Sequence, residues 1–149
     1  MIKISIAFVS FMWAFLFGFG LATPPMSANE LVSHAPNDAQ VYIISPTEGD
    51  TLSETFKVKF GLTGMGIAPA GIEKQNTGHH HLLVDLPELP DFTASLPATE
   101  HIRHFGGGQT ETTLTLPPGK HRLQLLLANY AHVPHEPPII SDPITVTVR

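Results

Sequence analysis

Three histidines stand in a row at His79-His80-His81 and run straight into Leu82-Leu83-Val84-Asp85. Two more histidine-bearing stretches follow, His101-Ile102-Arg103-His104-Phe105 with Gly106-Gly107-Gly108 behind it, and His132-Val133-Pro134-His135. Eight of the 9 histidines fall after residue 78. Neutral imidazole is the commonest side-chain ligand for zinc and copper. On an extended strand, residues i and i+2 share a face roughly 6–7 Å apart, twice the strand rise. Both rings can then lean onto one ion at bonds of about 2.0–2.1 Å. The expected metal ligands are His79, His81, His132 and His135, with His104 as a further or alternative ligand and His80 in reserve. An all-imidazole set without thiolate suits Cu(II) or Zn(II). Cu(I) carriage would call for methionines, and Met65 is the only one beyond residue 28.

These side chains need a scaffold, and the chain reads as β throughout. Phe56-Lys57-Val58-Lys59-Phe60, Thr113 to Leu116 and Ile144 to Val148 alternate apolar with polar, as half-buried strands do. Val41 to Ser45 is a β-rich run stopped by Pro46, and Lys120 to Ala128 sets Leu123, Leu125 and Leu127 on one face. Residues 79–86 form a further strand. Its alternation sends Leu82 and Val84 to the core with His80 at the core edge, and leaves His79 and His81 on the open face. Proline marks the connection at 87–100, and Pro117-Pro118-Gly119 makes a turn. About seven short strands with Pro/Gly turns and no amphipathic helix predict an all-β, immunoglobulin-like sandwich. His101 and His121 are expected at the surface and His34 in a linker. Asp85, Glu111 and Glu136 are the acids that could orient an imidazole through its second nitrogen, against a plainer role as surface acids. The glycine run after His104 leaves two readings open, a flexible loop and a set of exposed amides for an anion.

The start of the chain is of another kind. Lys3 precedes a charge-free apolar run from Ile4 to Leu21, then Pro24-Pro25 and Met26-Ser27-Ala28. That order is the pattern of a secretory signal peptide at 1–28, cut after Ala28 or, as second choice, after Ala22, with an uncleaved anchor as the competing reading. Residues 29–39 read as a linker and 40–149 as the domain. After cleavage, 7 basic residues against 13 acids leave a net charge of −6, which excludes nucleic acid and anionic membrane surfaces as partners. The chain has no cysteine, so disulfides, thiol catalysis and Zn–Cys sites are excluded. An exported, disulfide-free, unanchored chain points to a periplasm or the medium.

The blocks Gly66 to Gly71 (GIAPAG), Asn76 to Asp85 (NTGHHHLLVD), His104 to Glu111 (HFGGGQTE), Pro118 to Ala128 (PGKHRLQLLLA) and His132 to Val146 resemble the DUF4399 family over residues 40–149. The resemblance implies an exported β-domain with histidine-rich motifs and carries no assigned activity. Asn129-Tyr130 stands here where the family often has Gly-Asp.

Binding of a transition metal by an exported β-domain is therefore the expected function, with no catalytic residue assigned. Two other readings stay open. One is a non-catalytic interaction module whose histidines form a structural network. The other is a metal-dependent hydrolase using Glu111 or Asp85 as base. No nucleophile elbow, phosphate loop or zinc-protease motif is present.

Overall fold

A computed structural model describes residues 31–149; the expected signal peptide lies outside the described residues. Nine strands are present among them: β1 (Gln40–Ser45), β2 (Thr51–Leu52), β3 (Thr55–Thr63), β4 (Gly66–Ile67), β5 (Thr77–Val84), β6 (Ile102–His104), β7 (Glu111–Thr115), β8 (Gly119–Ala128) and β9 (Ile144–Val148). Six of them are the runs that read as strands in the sequence; β2, β4 and β6 are additional, and at two or three residues are too short to show any alternation. Two sheets form, one ordered β1-β3-β7 and the other β2-β9-β8-β5-β4, with β6 paired to β5 as well. The described residues contain no helix long and apolar enough to cross a membrane.

The expected all-β sandwich is what the chain forms, and alternation explains its interior. Phe56, Val58 and Phe60 of β3 face Leu123, Leu125 and Leu127 of β8, with Leu82, Val84, Val146 and Val148 filling the space between. With no disulfide, this burial holds the two sheets together.

The second face of β5 departs from expectation. His79 and His81 were to lie on an open face, yet every residue from Gly78 to Val84 is buried. A smaller apolar cluster covers that side: Leu83, Leu126 and Ala128 meet Ile102 of β6 and Leu96 from the proline-marked connection. Strand alternation assigns side chains to faces, but a loop without periodicity decides whether a face is covered.

Residues 31–36, at the edge of the expected linker, are laid against the sandwich. His34 bridges to Glu136, Glu136 N–H donates to Ser33 O at 2.9 Å and Ala35 N–H to Glu136 O at 2.9 Å. The Asn129 amide holds the same segment by donating to Leu31 O at 2.6 Å.

Candidate metal centre

Two strands bring three imidazoles together. His79 and His81 share one face of β5, and His81 lies directly opposite His104 of β6 in an antiparallel pair. Cross-strand neighbours of this kind hold their Cβ atoms about 4.5–5.5 Å apart. One ligand atom from each of His79, His81 and His104 lies within 4.8 Å of the others.

The fourth ring arrives on the turn after β8. Asn129 builds that turn: its side-chain oxygen accepts from Ala131 N–H at 2.9 Å and from Val133 N–H at 3.1 Å. His132 N–H donates to Asn129 O, and Leu96 N–H donates to His132 O, both at 2.9 Å. His132 itself is held at φ 65°, the left-handed region that non-glycine residues seldom occupy. Backbone held in that region tends to gather at functional sites. The result places His132 Nε2 3.2 Å from His104 Nε2. Two nitrogens on a tetrahedral ion at 2.0–2.1 Å would stand roughly 3.3 Å apart. The ring centroids of His79, His81, His104 and His132 are 4.8–6.0 Å apart in every pairing.

Burial sets the protonation of this cluster. His79 is 0% exposed and neither ring nitrogen has a hydrogen-bond partner; in His81, 2% exposed, Nδ1 has none. Burial first, then the neighbouring histidines, push His79 down to about 4. Burial and then the charges of His79, His104 and His132 push His81 down to about 3. His104 is also lowered, by burial and then by His132. The rings most deeply placed are therefore neutral near pH 7, the form that ligates a metal. No carboxylate is among the charges that act on these three rings.

A glycine makes room for the cluster. The His104 ring lies where a Cβ on Gly106 would sit, against its Cε1 and Nε2. The neighbouring amides are used internally: Gly107 N–H donates to the Gln109 side chain at 3.0 Å and Gly108 N–H to Phe105 O at 3.1 Å. The anion-binding reading of the glycine run thus loses the Gly107 and Gly108 donors, and the run serves close approach instead.

The remaining histidines fall elsewhere. His80 points into the main core against Phe60, at a centroid distance of 5.1 Å, and its Nδ1 faces Gln109 O at 3.3 Å. His135 is 2% exposed, packs beside Gly78, and has no partner for either nitrogen. It lies close enough for its charge to act on His79, but outside the four-ring cluster. His121 is not the surface residue expected from sequence. It is buried, with Nδ1 2.6 Å from Asp85 Oδ2 and Nε2 2.8 Å from Pro117 O. Asp85 does orient an imidazole, but that of His121, and its second oxygen accepts Arg122 N–H at 2.7 Å. Burial opposes charge on His121, but the Asp85 hydrogen bond, Pro117 and the Asp85 charge outweigh it and raise its pKa. Glu111 pairs with Lys57 at 3.0 Å, and Glu136 is exposed.

His132 and His104, both candidate ligands from the sequence, are brought against His79 in the structure, whereas His135 is not among the stacked rings. The signal for His104 is Gly106, two residues on, whose missing Cβ leaves room for the ring folded back over the chain. For His132 it is Asn129, a turn-former three residues upstream.

No curated protein matches the chain in sequence. Among solved structures, it is similar to the endo-beta-1,4-mannanase from Thermotoga petrophila, at 20% identity and a TM-score of 0.43. That match covers 75% of this chain and 20% of the enzyme. The family described as "Domain of unknown function (DUF4399)" matches residues 58–149, a span that holds the whole four-ring cluster, and the chain belongs to that family.

Proposed function

We propose that this protein is an exported metal-binding domain that holds one Cu(II) or Zn(II) ion through His79, His81, His104 and His132. The observation that carries this reading is the convergence of four imidazoles from three segments, with buried nitrogens that have no protein partner. A buried polar atom left without a partner costs about 1–3 kcal/mol, and an ion would take up one nitrogen of each ring. The donor set is nitrogen alone, which suits copper and zinc over magnesium or calcium. Asp85 and Glu111, the acids considered as a general base, are held by His121 and Lys57, which weighs against hydrolysis. Export rests on the charge-free run after Lys3 and the small-residue end at Ala28.

The test is elemental mass spectrometry on untagged protein purified without a metal column. About one equivalent of copper or zinc, lost in a His79→Ala/His81→Ala double variant, is expected for a site of this kind. Absence of both metals, with no uptake on titration, would overturn the reading.

A further inference from the structure

The cluster is not sealed on all sides. A cavity of about 230 Å³ opens beside it, floored by the rings of His81, His104 and His132. His79, 0% exposed, is not part of that floor. The walls are Leu96, Pro97, Ala98 and Ile102, all apolar. Ser95 also lines the space, but its hydroxyl already donates to Ala131 O at 3.1 Å. The wall is fastened to the site, because Leu96 N–H holds the His132 carbonyl.

We propose that the ion of this centre accepts an exogenous ligand from the cavity, across the face formed by His81, His104 and His132, and that the ligand is a small monoanion with an apolar body, such as a short-chain carboxylate. This rests on the metal-binding reading above. Three features choose the class. Imidazole ligands carry no charge of their own, so a divalent ion would keep its full +2 charge, and no carboxylate is among the charges acting on His79, His81 or His104 to offset it. An anionic donor does so. The apolar walls offer the rest of the ligand contact but few hydrogen bonds, which selects an alkyl body over a polyol or an amino acid. The volume equals about seven or eight waters at roughly 30 Å³ each, room for a ligand of about six heavy atoms. A ligand entering from the cavity would expand a four-coordinate ion to five, a change that zinc and copper sites accommodate.

The experiment uses the copper-loaded protein and reads electron paramagnetic resonance as butyrate is added, with fluoride as a small anion for comparison. Copper content is measured first. An all-imidazole site that takes zinc binds Cu(II) more tightly still, so failure to take up copper on titration would overturn the metal-binding reading and this one with it. With copper bound, butyrate should shift the spectrum to saturation by about 50 mM, as expected for a millimolar ligand. Ala98→Phe, at an exposed wall position, should keep the copper content and the fluoride response while weakening butyrate about tenfold or more. A spectrum unmoved by butyrate would refute the proposal while leaving the metal site standing. So would a butyrate affinity unchanged in Ala98→Phe.

Discussion

Replacing His79 by leucine should change stability in opposite directions with and without metal. In the chelated protein a neutral His79 carries one N–H donor and one acceptor, both buried and both unpartnered. Each such group costs about 1–3 kcal/mol, whereas an apolar residue of similar size has nothing to satisfy. Leucine at a fully buried site also gains apolar contact with the cluster around Ala128 and Leu126. We expect His79→Leu to be more stable than the parent by about 2 kcal/mol in chelator, or about 1 M in urea midpoint at a slope near 2 kcal/mol/M. With zinc or copper at about 100 times its dissociation constant the parent gains about 2.7 kcal/mol, and the variant, short of one ligand, gains little. The order of the two proteins should therefore invert. Urea denaturation by fluorescence at pH 8, with chelator and with metal, measures both arms; His79, held at about 4, is neutral there. If His79→Leu is the less stable protein in chelator, the His79 nitrogens are satisfied in the folded state and the reasoning fails.

Gly106→Ala should set a methyl against the His104 ring and turn that ligand out; metal affinity should fall about tenfold or more by competition titration, with little change in the stability of the chelated protein. The Asp85–His121 pair should give a pH signature. Because the folded-state pKa of His121 is raised, the pair's contribution is complete below the unfolded value near 6.5 and is lost as pH rises through the folded value. Asp85→Asn keeps a residue tolerant of the φ of 51° and an acceptor for Arg122 N–H, but removes the charge. It should cost about 1–3 kcal/mol at pH 6 and progressively less as the pH rises, read as the stability difference from the parent in chelator. A difference that does not vary with pH would place His121 outside any ionic pairing.

Local pattern went a long way at β5. Period-two alternation separated His79 and His81 from His80, and the structure keeps that division, with His80 against Phe60. It went less far wherever distant segments decide the outcome. The face carrying His79 and His81 reads as open because its cover, around Leu96, comes from a connection with no periodicity. The partnership of His81 with His104 depends on the register of a three-residue strand, too short to declare itself. Asp85 and His121 meet across 36 positions of sequence, so neither shows its partner locally. His132 owes its direction to a left-handed backbone angle that nothing in the residue type requires.

The four rings sit at positions 79, 81, 104 and 132, so β6, β7 and β8 all lie between the outermost two. A nascent or unravelled chain offers the ion only the neighbouring histidines of one segment at a time, a far poorer grip than the assembled set. Under the proposed metal-binding function, occupancy would count properly folded molecules: the ion would ride only on finished copies and be shed by damaged ones. Its colour or spin signal in a copper-loaded sample would serve as a gauge of intact fold, readable without any added label.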